Sequence, residues 1–485
     1  MLFNSYIFIL LFLPLALLGY YGLNSLGKYN LANGFLLGMS LWFYGYFHPA
    51  YLLILCLSIA GNFLLAKAMQ AADGPGKKAL LILGICANIG VIFYYKYFNF
   101  FLENVNALFG ASFTLRNILL PLGISFFTFQ QVSFLIDSYR GETKDYSFGE
   151  YALFVAFFPQ LVAGPIVLHH EMIPQFRDPQ RRQFSAEWFS HGLFIFSLGL
   201  FKKVIIADTF GKAVTWGFGM VDEITAMEAW LVSFSYTFQL FFDFSGYCDM
   251  ALGIGKMFHI ELPQNFNSPY RAESIPDFWS RWHMTLTRFL RTYVYFPLGG
   301  SRKGTLRTYG NILVVFLISG LWHGANWTFV LWGGLHGLLN CLTRIFKKQW
   351  ERLGHVTRWA LTFLSVNALW VVFRADSISQ AALFLRTMLY MKSFAVRQEL
   401  YKCFYMAELE VLESHVPLMN LLPSRVYGWH MWLFLLGALF AVLNLPNSKT
   451  LTFRPNVWTS FLTMVFLVWS IVSLSGISVF LYFNF

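Results

Sequence analysis

Charge is what this 485-residue chain has least of: Asp, Glu, Lys and Arg make up 12% of it, against 57% hydrophobic residues. So little polar surface cannot cover a water-soluble globule, which leaves a polytopic membrane protein. Cysteine is also sparse. Cys56, Cys86, Cys248, Cys341 and Cys403 are odd in number, scattered and mostly inside apolar runs. That pattern argues against a disulfide framework and against a clustered metal site, so no metal centre is expected. There is no Gly-x-Ser-x-Gly elbow, no His-Glu-x-x-His motif, and no Walker or dinucleotide glycine signature, which weakens the common soluble-enzyme chemistries. No linker rich in Pro, Gly or Ser divides the chain, so a single membrane domain over 1–485 is expected. The first apolar stretch, Tyr6 to Leu23, lacks a basic leader and a clear small-residue cleavage site, and reads as a retained helix.

What the chain does have is apolar runs from end to end. Candidate spans are Tyr6 to Leu23, Leu31 to Phe47, Pro49 to Ala68, Ala79 to Phe101, Leu119 to Ile136, Tyr151 to Leu168, Gly192 to Phe210, Trp230 to Gly246, Tyr309 to Leu321, Trp327 to Ile345, Val356 to Phe373, Met431 to Leu445 and Val457 to Phe485. Several are short, or interrupted as at Pro121-Leu122-Gly123 and Ala163-Gly164-Pro165. Irregular backbone at membrane depth is tolerated only inside protein or against a wet cavity, so these breaks point to an internal tunnel. The expected fold is therefore all-α, a polytopic transmembrane helical bundle with re-entrant and interfacial helices around a central tunnel.

The net charge of +11 would suggest nucleic acid in a soluble protein. Here the basic residues sit in short loops beside apolar runs, as at Lys77 and Lys78, Arg302, Lys303 and Arg307, or Arg344, Lys347, Lys348 and Arg352. That is the positive-inside pattern, with membrane lipids as neighbours and no nucleic acid.

One ionisable residue stands out. His323 lies in Ser319-Gly320-Leu321-Trp322-His323-Gly324-Ala325-Asn326-Trp327, within one of the most apolar stretches. A polar side chain at that depth costs a few kcal/mol and persists when it is paired, lines a wet cavity or does chemistry. A neutral imidazole there could take a proton from a hydroxyl attacking a carbonyl, since burial disfavours the imidazolium; the alternative is an interhelical hydrogen-bond donor. His283 is the natural companion, able to orient an acceptor, polarise a carbonyl or hold a water, unless it is merely interfacial. Phe278 to Arg291 reads as one amphipathic helix carrying His283 with Arg281, Arg288 and Arg291 at helical spacings. His336 is better placed for a structural role, because a straight helix from His323 would put it roughly 20 Å away. Asp208, Asp243 and Asp249, near apolar segments, either pair with cations and cap helices or mark a proton path. The second possibility supports a rival reading as a transporter or channel for a small solute.

Several segments in order, Pro263-Gln264-Asn265-Phe266-Asn267-Ser268-Pro269-Tyr270, Phe278 to His283, Tyr295-Phe296-Pro297-Leu298-Gly299-Gly300-Ser301-Arg302-Lys303-Gly304 and Gly320 to Gly337, resemble the membrane-bound O-acyltransferase (MBOAT) family, in particular its alginate O-acetyltransferase, AlgI-like, branch. The likeness extends to Phe244-Ser245-Gly246-Tyr247-Cys248-Asp249-Met250, Gly199 to Lys203, Gln160 to Ile166 and Leu2 to Tyr6, and is densest over 244–337. Two positions depart from the pattern: Thr292 follows Arg291 where an acidic residue is usual, and Ser280 replaces a usual arginine. The resemblance implies His323 as catalytic histidine, His283 as the second family histidine, and a multi-pass place in the bacterial inner membrane. It also implies acetyl-CoA as donor substrate with no bound cofactor, a periplasmic acetyltransferase or acceptor protein as partner, and a cell-envelope polysaccharide (alginate, another exopolysaccharide or peptidoglycan) as acceptor. On charge and location, Arg281, Arg288, Arg291, Arg302 and Lys303 are the candidates to steer the CoA phosphates.

Overall fold

Helices account for the regular structure of the computed structural model, which describes every residue except 144, 391–392, 416–427, 449–450, 452, 475–479 and 482–485; no strand occurs among the described residues. Among the described residues, five helices are long and apolar enough to cross a membrane: Phe8–Ser25, Pro49–Ala71, Gly74–Phe109, Thr305–His323 and His355–Arg374. Each coincides with a run expected from sequence. The run from Trp327 is a helix with the expected ends, Trp327–Ile345, and Met431 to Leu445 is found as Trp429–Asn444. The last expected run is helical over Val457–Val472; much of its remainder lies outside the described residues. Tyr151 to Leu168 is not one helix. It forms Phe148–Ala156 and Phe158–Leu161, then continues as irregular backbone through Ala163-Gly164-Pro165.

The helices gather into two compact units, both discontinuous in sequence: Met1–Leu200 with Tyr247–Gln264 and Phe453–Phe485, and Phe201–Gly246 with Asn265–Thr452. In the first unit, the two interruptions legible in the sequence meet each other. Gly123, at φ +72°, starts the helix Ile124–Arg140 so close to the irregular segment that a Cβ there would lie 2.8 Å from the Leu161 carbonyl oxygen and 2.9 Å from Val162 Cα. Protein, not lipid, thus covers the freed backbone groups. A buried amide network ties the same unit together. Asn88 donates to Asn62 Oδ1 at 2.6 Å, Asn62 donates to Gln131 Oε1 at 2.7 Å, and Gln131 donates to the Ser58 hydroxyl at 3.0 Å. Three helices, Pro49–Ala71, Gly74–Ile92 and Ile124–Arg140, are joined by groups that would otherwise be unsatisfied in an apolar setting.

In the second unit, Thr305–His323 and Trp327–Ile345 form an antiparallel hairpin closed by Gly324-Ala325-Asn326, where the Asn326 carboxamide oxygen caps the second helix by accepting from the Thr328 N–H. The two helices touch through glycine. A Cβ on Gly333 would fall on the Phe316 carbonyl oxygen and the Gly320 backbone, and one on Gly320 would fall on the Phe329 carbonyl. The stretch from His259 to Gly304 holds only short helical pieces, the longest being Met284–Leu290 continued by Arg291–Tyr295, and none is long enough to span. Among the described residues between Tyr390 and His430 lie the short helices Gln398–Lys402 and Ala407–His415; 391–392 and 416–427 are outside them. Arg397 anchors this stretch, donating through its N–H and guanidinium to the fully buried Glu228 at 2.8 and 3.0 Å.

The glycine crossing sets up a matched pair of substitutions. Gly333→Ala must push two backbones apart and should cost about 1–3 kcal/mol, the usual range for overpacking. Gly334→Ala faces only a Leu317 side chain at 3.6 Å and should be tolerated. Thermal unfolding of the two variants in detergent tests this; equal midpoints would contradict the backbone contact.

Candidate active site

His323 is the last residue of Thr305–His323 and retains 3% of its surface exposed. Its Nδ1 lies 2.6 Å from the Ser319 carbonyl one turn back. A carbonyl can only accept, so the proton sits on Nδ1 and the Nε2 atom holds the lone pair. Trp322, Trp332 and Phe373 stand around the ring with centroids 4.9, 5.0 and 5.4 Å away. The helix thus ends in an oriented imidazole whose basic nitrogen is fixed by a backbone group.

His283 is fully buried and sits at a break, which corrects the single amphipathic helix expected from Phe278 to Arg291. One helix, Ile275–Arg281, ends before Trp282; a second, Met284–Leu290, begins after His283, itself in the left-handed region at φ +44°. The cause lies upstream in sequence. Asn267 N–H donates to the Arg281 carbonyl at 2.9 Å and Met284 N–H to the Asn265 carbonyl at 3.0 Å, so the segment 265–267 runs alongside the break and takes up its backbone groups. The fully buried Asn265 side chain completes the grip. Its Oδ1 accepts from the Thr285 N–H at 3.2 Å and the Thr285 hydroxyl at 2.6 Å, and lies 3.3 Å from His283 Nδ1. Because that oxygen accepts, His283 Nδ1 carries the proton, and this imidazole too keeps its lone pair on Nε2. A non-glycine residue held at positive φ is a strained position of the sort that clusters at functional sites.

The two imidazoles share a neighbour: the Trp322 ring has its centroid 5.8 Å from His283 and 4.9 Å from His323. His336 differs. Trp279 Nε1, a donor only, gives its hydrogen to His336 Nδ1 at 3.2 Å, so the proton of this ring is on Nε2. It is fully buried, and Trp332 lies beside both rings, 4.9 Å from His336 and 5.0 Å from His323. This is an anchored core histidine.

The basic candidates are dispersed. Arg281 is engaged by Asp277, its Nε donating to Oδ1 at 2.8 Å. Arg288, one helix further on, is half-buried, so the shared face expected for the arginines is interrupted at His283. Arg291 is exposed; Arg302 and Lys303 ride an exposed turn held by Asn311, whose amide donates to the Gly300 carbonyl at 2.9 Å. A further basic feature is a cavity of about 450 Å³ lined by Arg344, Lys347, Arg358, Glu273, Trp350 and Thr343. Hydrogen bonds from Arg358 there hold the Glu273 carboxyl below the usual carboxylate range, against partial burial and with help from His355. The carboxylates behind the transporter reading are internally compensated in part: Lys203, 2% exposed, bonds Asp208 at 2.8 Å and Asp243 at 2.7 Å.

Sequence reasoning alone missed Asn265 as a site residue. Its signal was there, a polar residue in a stretch between apolar segments, but its role depends on a contact eighteen residues away in the chain. Trp332, whose ring packs against His323 from the second helix of the hairpin, was missed as well.

Comparison with known proteins follows this geometry. Residues 41–375 match the model of the MBOAT, membrane-bound O-acyltransferase, family. The chain is 43% identical over 419 residues to a peptidoglycan O-acetyltransferase of Helicobacter pylori, covering 80% of each. It is 39% identical over 391 residues to a probable alginate O-acetylase AlgI of Pseudomonas putida, covering 79% of each. A teichoic acid D-alanyltransferase of Bacillus subtilis is 27% identical over 245 residues, 49% of this chain and 62% of the relative.

The Asn265 grip is testable by itself. Asn265→Leu keeps the branched outline of the side chain but deprives Thr285 and His283 of an acceptor; each orphaned buried donor costs about 1–3 kcal/mol. The variant should unfold at a clearly lower temperature in detergent. An unchanged midpoint would show that the carboxamide does not hold the break.

Proposed function

This chain belongs to the membrane-bound O-acyltransferase family and is an O-acyltransferase, and from that premise we propose that it moves acetyl from cytoplasmic acetyl-CoA to a hydroxyl of an exported cell-envelope polysaccharide. Peptidoglycan is the acceptor polymer favoured here, after the relative of 43% identity; alginate and other exopolysaccharides are next. A periplasmic partner receives or relays the group, and the enzyme resides in the bacterial inner membrane.

The observation that carries the reading is the His323 tautomer. With Nδ1–H committed to the Ser319 carbonyl, Nε2 is the nitrogen that carries the lone pair and can take up a proton. In the proposed step, Nε2 accepts the proton of an acceptor hydroxyl as its oxygen bonds to the thioester carbonyl carbon. The tetrahedral species then collapses, the carbon–sulfur bond breaks, and the proton passes from the imidazolium to the leaving CoA thiolate. His283, with its proton held on Nδ1 by Asn265, has an accepting Nε2 that orders the acceptor hydroxyl or a water, and the aromatic wall keeps competing water from the thioester. Arg288, Arg291, Arg302 and Lys303 steer the CoA phosphates, with Arg281 contributing less because Asp277 already engages it.

Purified protein supplied with acetyl-CoA and a soluble saccharide acceptor should release CoA. His323→Ala should lower that release by about 10²- to 10⁴-fold, the range for loss of general-base help, while the protein elutes and unfolds as the unsubstituted chain does. Retained turnover in this variant would overturn the assignment. A protein that only transports would release no CoA at all.

A further inference from the structure

We propose that Asp137, Glu142 and His169 form a binding site for one divalent cation of the zinc or manganese class. After the helix Ile124–Arg140 the chain turns at Gly141, at φ +87°, and brings Glu142 back beside Asp137, with the Glu142 N–H donating to the Asp137 carbonyl at 2.9 Å. His169, first residue of the helix His169–Arg177, arrives from elsewhere in the same unit. One oxygen of each carboxylate and one imidazole nitrogen all lie within 4.8 Å of one another.

The imidazole carries the argument. His169 is 1% exposed, and its Nδ1 lies 3.1 Å from the Tyr146 hydroxyl. Its Nε2 makes no hydrogen bond among the described residues, although Asp137 Oδ2 is 3.3 Å away. A buried nitrogen beside a carboxylate oxygen yet out of line for a hydrogen bond calls for an explanation. Two ligands with bonds of 2.0–2.2 Å to a tetrahedral centre stand about 3.3–3.6 Å apart, so the observed separation is that of two donors sharing an ion. The other Asp137 oxygen, Oδ1, lies 3.2 Å from Arg140 Nη1. The carboxylate therefore presents a different oxygen to the guanidinium and to the cation, while Tyr146 orients the imidazole, outer contacts of the kind that support ligands.

Ligand chemistry narrows the occupant. One imidazole and two carboxylates suit zinc or manganese; soft copper(I) wants sulfur, and calcium wants an all-oxygen shell. The two carboxylates supply negative charge that favours a cation, offset in part by Arg140 at Asp137 Oδ1. Glu142 is exposed and gives the ion a route in, with its remaining positions open to water. A bound ion would clamp the end of the helix Ile124–Arg140 to the start of His169–Arg177.

The test uses the full chain, purified in detergent without a polyhistidine tag, stripped with EDTA and dialysed against zinc or manganese. The protein should retain one equivalent, and its unfolding midpoint should rise with free metal. Glu142→Gln, an exposed substitution, should weaken retention at least tenfold; Glu187→Gln, at an exposed acid outside the cluster, should leave it intact. Failure to retain either metal, equal retention by Glu142→Gln, or equal loss in Glu187→Gln would overturn the site.

Discussion

Hydrocarbon offers no partner to a polar group, so every amide, imidazole and carboxylate carried into it must be answered from within the protein. In the first unit that demand is met by the Asn62, Asn88, Gln131 and Ser58 network, which joins helices where apolar packing alone gives little direction. In the second unit the same demand fixes chemistry. A peptide carbonyl decides which nitrogen of His323 is basic, a carboxamide does so for His283, and an indole decides the reverse for His336. Three buried imidazoles thus acquire different roles from the identity of one neighbour each, before any substrate arrives.

Much of this was legible in the amino-acid order, and the illegible parts have a common cause. Long apolar helices were visible because their signal is local; Pro49–Ala71 and Thr305–His323 need nothing but composition to be recognised. The interruptions at Pro121-Leu122-Gly123 and Ala163-Gly164-Pro165 were visible for the same reason, although their mutual contact was not. The break at His283 was hidden. Phe278 to Arg291 has a helical pattern, and what overrides it is a segment some fourteen to twenty residues earlier that claims the backbone groups around Trp282 and His283. The break parted Arg281 from Arg288 and Arg291, which stay together on the helical run after it.

Family membership and geometry meet at the hairpin and differ in reach. The match over 41–375 takes in both imidazoles, the Asn265 segment and the glycine crossing. Relatives whose names specify peptidoglycan, alginate and teichoic acid are similar to the chain over 80%, 79% and 49% of its length. On the proposed function, a base oriented by a backbone carbonyl would be indifferent to which hydroxyl it serves, and acceptor choice would rest with its surroundings.

The crossing of Gly320 over Gly333 bears on how such a centre can breathe. Two main chains pressed together without intervening side chains have no slack, so the hairpin can shift as a rigid piece but cannot slide by fractions of a turn. Trp322, Trp332 and Phe373, which stand against His323, are themselves buried, so none of these rings turns without displacing its neighbours. The imidazole is seated between a tight main-chain crossing and a stack of interlocked rings, and whatever shifts one shifts them all.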